Sequence, residues 1–243
     1  MNRRLFCLAA PLILLSCAFA QQAATAPAQS TSHPAATHHP VAAQVTPSAD
    51  KIWASLMEGN KRFVAGKTKN RSIVELRRTL AKGQHPKVIV LGCSDSRVAP
   101  ELLFDQSLGD LFVVRSAGNI ADPVGLGSME YAVEHLGASV IVVMGHEKCG
   151  AVTAACSGEK MPTPNLQAIV DKIAPAVTQA KTYAKSDELV EAAIRENVHS
   201  EAKELLIHSE ILRHFKDDGK LTIYEAEYSL DSGEVIRLDN PQH

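Results

Sequence analysis

Two short stretches carry the residue types with the most chemistry in this chain, Gly92-Cys93-Ser94-Asp95-Ser96-Arg97 and Gly145-His146-Glu147-Lys148-Cys149-Gly150. Two thiolates and an imidazole form a ligand set suited to Zn²⁺. Three protein ligands of this kind leave the fourth tetrahedral position open, as in catalytic zinc sites, where water loses a proton near neutral pH and becomes a nucleophile. Two anionic sulfurs make the metal less acidic than neutral histidines would, so nearby cations or hydrogen bonds must help to hold hydroxide. Asp95 and Arg97, two residues apart, meet that need. The guanidinium fork can keep the carboxylate deprotonated and aimed. Asp95 then orients the attacking hydroxide, or, if Arg97 releases it, reaches the metal as a fourth ligand and closes the site.

Each residue taken singly has a plainer explanation: Cys93 and Cys149 as buried thiols, Asp95–Arg97 as a surface ion pair. What favours the zinc reading is where the two stretches fall. Lys87–Leu91, bounded by Pro86, and Val140–Met144 are short apolar runs of the kind that forms strands buried on both faces. Cys93 follows the first and His146 the second, so two strand-to-loop transitions deliver ligands to one sheet edge, where ligands of parallel sheets gather. The spacing of three between His146 and Cys149 predicts that both project from one side of a helix start.

The remaining elements complete an α/β unit from Asp50 onward. Asp50 is expected to cap a first helix carrying Ile52, Trp53, Leu56 and Met57, with Phe63 and Val64 after Gly59-Asn60. Helices are also predicted over 72–81, 127–136, 166–183 and 187–215, and from about Cys149, with a third strand over 111–114. Strands alternating with helices imply a mainly parallel β-sheet flanked by helices. The alternation in 220–228, the turn Asp231-Ser232-Gly233 and the segment 235–238 predict a C-terminal edge hairpin. Cys156 and His135 fall outside the ligand pattern and read as structural.

The first fifty residues differ in kind. Arg3 and Arg4, an apolar run from Leu5 to Leu15 and Ala18-Phe19-Ala20 predict a signal peptide over 1–20, hence a periplasmic or secreted protein without a stable membrane span. Leu14-Leu15-Ser16-Cys17 loosely resembles a lipoprotein processing site, and lipid attachment at Cys17 ranks below cleavage after Ala20. Residues 21–49, rich in Ala, Pro, Thr and Gln, predict a disordered linker, in which His33, His38 and His39 read as incidental; the folded domain spans 50–243. Loss of Arg3 and Arg4 takes the basic count from 25 to 23 against 27 acids, a formal charge of −4. Nucleic acid is thereby an unsuitable partner. Of five cysteines, only Cys93, Cys149 and Cys156 remain after cleavage, which is no disulfide framework.

The segments Cys93-Ser94-Asp95-Ser96-Arg97-Val98 and Gly145-His146-x-x-Cys149-Gly150 resemble the paired signatures of the β-class carbonic anhydrases. The resemblance runs from about Trp53 to Leu238 and includes Gly59-Asn60-x-Arg62-Phe63. It implies one Zn²⁺ per subunit on Cys93, His146 and Cys149, with Asp95 and Arg97 catalytic, and the reversible hydration of CO₂ to bicarbonate and a proton. It further implies substrate contacts from Gln84, Phe112, Tyr131 and the Gly150 backbone, often supplied across a dimer interface, and hence a homodimer or higher homo-oligomer. One subgroup of the family closes its site by Asp ligation and binds bicarbonate allosterically near a tryptophan. Here the corresponding strand position is Val90 and Trp53 is the sole tryptophan, which implies an open, unregulated site. Ser116 replaces the usual Asn after Arg115. The alternative activity is hydrolysis of a related linear electrophile, CS₂ or COS, on the same scaffold.

Overall fold

The computed structural model describes residues 47–238; the expected signal peptide with Cys17, and nearly all of the linker with its histidines, lie outside the described residues. Five strands form one sheet in the order β2-β1-β3-β4-β5. They are β1 (Val88–Cys93), β2 (Leu111–Ser116), β3 (Val140–His146), β4 (Thr222–Tyr228) and β5 (Val235–Arg237). The first four pair in parallel and β5 returns antiparallel on β4, as the hairpin signal predicts. Every residue of β1 and β3 is buried, which explains their unbroken apolar runs: both faces are covered by helices.

Alternation along these central strands sorts the core into two layers. Val88, Val90, Val140, Val142 and Met144 pack with α1 (Ala49–Val64), Leu103, Phe104 and the β4 tyrosines. Ile89, Leu91, Ile141 and Val143 pack on the other face against α4 (Pro123–Leu136), α7 (Leu189–His208) and α8 (Glu210–Asp217). A third cluster, beyond the strand ends, joins Cys93 and Cys149 to α5 (Gly150–Ser157), α6 (Pro164–Ala180) and α7. Among the described residues, no helix is long and apolar enough to cross a membrane.

Several sequence expectations are corrected. The helix expected over 187–215 is two helices, broken at Ser209, whose hydroxyl caps α8 by accepting from the Leu212 amide. Helix α4 starts earlier than expected because Asp122 caps it through the Gly125 amide and Pro123 suits a first helical position. Asp50 lies in the first turn of α1, where it accepts from the Tyr224 hydroxyl at 2.8 Å, and Ser48 holds the cap position. A short helix missed by periodicity, α3 (Pro100–Leu103), follows the Cys93 loop.

The Gly59-Asn60-x-Arg62 segment is the clasp of the N-terminal helix. A Cβ on Gly59 would lie 1.8 Å from the Phe104 carbonyl oxygen, so only glycine admits α3 this closely. Asn60 donates to the carbonyls of Leu103 and Gly233 and accepts from the Val235 amide. Arg62 and Arg71 both bind the buried Asp105 carboxylate, Arg62 Nε at 2.5 Å and Arg71 Nη1 at 2.8 Å, and the Lys69 amide adds a third donor. Burial alone would raise the Asp105 pKa, but the hydrogen bonds from Arg71 and Arg62 outweigh it and bring the carboxyl down to about 2. The depression means that this stabilisation is complete above the unfolded value near 3.9 and disappears as pH falls through about 2. Asp105→Asn should cost about 2 kcal/mol at neutral pH and flatten the acid limb of stability between about pH 4 and 2, measured by denaturant unfolding at several pH values. Asparagine tolerates the positive φ at this position, so the variant tests the charge and not the backbone.

Candidate metal centre

Neighbouring central strands end side by side, and each carries a ligand at its last residue. Cys93 closes β1 and His146 closes β3, both buried. Cys149 joins them by a route other than the predicted helix face. It is the cap residue preceding α5, and Lys148 before it adopts a left-handed φ of 54°, which turns the chain back toward the strand ends. The ligand atoms of Cys93, His146 and Cys149 all lie within 4.8 Å of one another.

The donor set fits a zinc ion on two grounds. The first is His146. Its Nδ1 lies 2.9 Å from the Glu147 carbonyl oxygen, which can only accept, so the proton sits on Nδ1 and Nε2 carries a bare lone pair. That Nε2 is buried and has no hydrogen-bond partner, a costly arrangement without a cation to receive it. The second is the sulfur pair. Hydrogen bonding from Cys149 drops the Cys93 thiol to about 3, against the penalty of burial, while the shared proton pushes Cys149 upward. Two buried sulfurs competing for one proton form a site ready to exchange that proton for a metal.

Around the sulfurs the loop backbone is held tightly. The Gly118 amide points at Cys93 Sγ at 3.3 Å from a short 3₁₀ turn (Ala117–Asn119), in which Gly118 has φ 76°. Asn197 and Glu201, both buried on α7, fix that turn by binding the Gly118 carbonyl and the Ala121 amide. Ser116 donates to the Ile120 carbonyl at 2.5 Å and closes the same loop.

Asp95 sits beside this centre with Oδ2 4.0 Å from His146 Nε2. Arg97 grips it with both arms, Nε to Oδ1 at 2.9 Å and Nη2 to Oδ2 at 2.7 Å, and its backbone amide adds a bond to Oδ1. The Arg97 side chain therefore holds the Asp95 carboxyl well below the ordinary carboxylate range. Arg115, not singled out from sequence, donates to the backbone carbonyls of Cys93 at 2.8 Å and Asp95 at 2.6 Å and so fixes the ligand loop. A cation ending the apolar run of β2 was the signal available for it.

Gly150 is the first residue of α5, next to Cys149. The other expected substrate contacts are placed elsewhere. Phe112 pairs with Ile89 in the first half of the strands and lines an open cleft of about 330 Å³ with Arg115, Ile120 and Val124. Gln84 is exposed and precedes β1, whereas Cys93 closes it; six strand residues span about 20 Å. Tyr131 is half exposed on α4, its ring tilted 47° against that of His135 with centroids 5.2 Å apart. Within one subunit, then, Gln84 does not reach the centre. Val90 is fully buried in β1, and Trp53 packs against Tyr224 with centroids 5.1 Å apart.

Residues 88–235 match the family model described as carbonic anhydrase. Carbonic anhydrase 2 of Mycobacterium tuberculosis is 40% identical over 192 residues, covering 77% of this chain and 92% of that protein. A solved β-carbonic anhydrase of the fungal pathogen Aspergillus fumigatus superposes with a TM-score of 0.62 at 29% identity, over 80% of this chain and 93% of that one. A tetrameric β-carbonic anhydrase of Sordaria macrospora, 24% identical, shares the fold with a TM-score of 0.60 over 78% of this chain and 92% of that one.

Proposed function

The chain belongs to the β-class carbonic anhydrases, and we propose that it hydrates CO₂ reversibly to bicarbonate and a proton at a zinc ion held by Cys93, His146 and Cys149. The observation that carries this reading is the bare, buried His146 Nε2 facing two sulfurs, with the Asp95 carboxylate 4.0 Å away. Bound zinc supplies a position at which water loses its proton near neutral pH and becomes nucleophilic. The chain's own residues do the rest. Asp95, kept ionised by Arg97, accepts a hydrogen bond from the nucleophile and turns its lone pair toward CO₂. Gly118 and Arg115 hold the ligand loop still while charge moves. Because Arg97 holds both Asp95 oxygens, the carboxylate is kept back from a ligand position, and we take the site to be open and constitutive.

Stopped-flow CO₂ hydration on the full chain tests the assignment. Asp95→Asn should keep zinc and lose activity by about a hundredfold, the usual scale for a positioned acid–base group. A variant with unchanged turnover rules out the role given to Asp95, and CO₂ inertness with turnover of CS₂ or COS would transfer the enzyme to that substrate.

The site is completed, on this reading, by a second copy of the chain. Gln84 and Tyr131 are exposed in one subunit, and β2 is an edge strand with half-exposed apolar residues. We assign Gln84, Phe112 and Tyr131 to the CO₂ pocket across that interface. Tyr131→Glu should therefore shift the protein toward monomer in sedimentation velocity and lower hydration activity in parallel. Export to the periplasm or beyond follows from the N-terminal sequence. An intact mass beginning at Gln21 supports it, whereas a lipidated Cys17 would make the enzyme membrane-tethered.

A further inference from the structure

The two residues between His146 and Cys149 are stapled to the β4–β5 turn, and the staple has one strong member. Glu147 is held at three points: its amide donates to the Tyr228 carbonyl at 3.0 Å, and its Oε2 accepts from the Ser229 hydroxyl and the Leu230 amide, each at 2.9 Å. The neighbouring Lys148–Asp231 ion pair is exposed on both sides and contributes little. With its backbone and side chain fixed, Glu147 has only one direction left for its carbonyl, and that carbonyl is the acceptor of His146 Nδ1–H. From this geometry we infer that Glu147 is a positioning residue for the metal centre. Its carboxylate, clasped by Ser229 and Leu230, sets the ring orientation and tautomer of His146, so the hairpin turn far along the sequence governs metal affinity.

The inference rests on the zinc reading of the site and deepens it. Partners that orient a ligating histidine are worth about tenfold to a hundredfold in metal affinity. A role confined to tying down the hairpin would instead lower thermal stability and leave affinity alone. The test measures zinc dissociation constants of the full chain by competition with a chromophoric chelator, alongside the visible spectrum of the cobalt(II)-substituted protein. Glu147→Ala should weaken zinc binding about tenfold and shift the cobalt bands. Glu147→Gln, whose amide oxygen can accept both hydrogen bonds, should bind within about twofold of wild type. Ser229→Ala, which deletes one of the two clasps and is the milder change if Glu147→Ala fails to fold, should weaken binding by a smaller factor and add nothing in the background of Glu147→Ala. Zinc affinity and cobalt spectra unchanged in Glu147→Ala or, where that variant does not fold, in Ser229→Ala would overturn the inference while leaving the proposed function intact. A wild-type chain that takes up no zinc would overturn both.

Discussion

Parallel pairing of β1 with β3 is the constraint on which everything else depends. The register sets Leu91 against Val143 and Gly92 against Met144, so the two strands end within one residue of each other at the same edge of the sheet. A one-residue slip would exchange the two faces of either strand and send Cys93 or His146 into a different layer. The register is secured by burial: alternate residues of both strands fill two separate cores, and neither pattern can be shifted without exposing or overfilling one of them. The candidate metal centre inherits its geometry from two hydrophobic cores that contain none of its three ligand residues.

That inheritance explains how polar chemistry survives in a buried place. The third core cluster surrounds Cys93 and Cys149 with α5, α6 and α7, which removes water from the sulfurs and raises the cost of any unpaired charge. The structure answers with oriented dipoles and distant cations. Gly118 offers an amide to Cys93, and Arg97 and Arg115 surround the Asp95 loop. Helix α7 supports the arrangement from behind through Asn197 and Glu201. The site is thus an assembly of five chain segments whose shared property is a lack of freedom.

Much of this was legible in the amino-acid sequence, for identifiable reasons. Strands β1 and β3 announce themselves because parallel strands under helices need no polar face, and the ligands announce themselves by type and by following those strands. What was not legible depends on long-range contact. The approach of Cys149 to His146 uses a left-handed residue at Lys148, a conformation that nothing local demands of lysine. The break at Ser209 hides inside a continuous helical pattern, because a serine is weakly disfavoured within a helix and reveals itself as a cap only when the turn is made. Arg115, Asn197 and Glu201 look like ordinary strand and helix residues until the loop they hold is folded against them. Gln84 could be recognised by resemblance, yet its distance from Cys93, at the opposite end of β1, becomes evident only once the strand is formed.

Asn60 links the start of the domain to its end. Its bonds to Gly233 and Val235 span 173 and 175 residues of sequence, so α1 cannot seat until the β4–β5 turn exists. A loop of that length closes late, and contacts of such high order slow folding. During synthesis the nascent chain must therefore remain unlocked until its last strands have been made. The clasp thereby makes the final hairpin the latch on a process that began at the first helix: the native state is postponed until both ends of the domain are present to be joined.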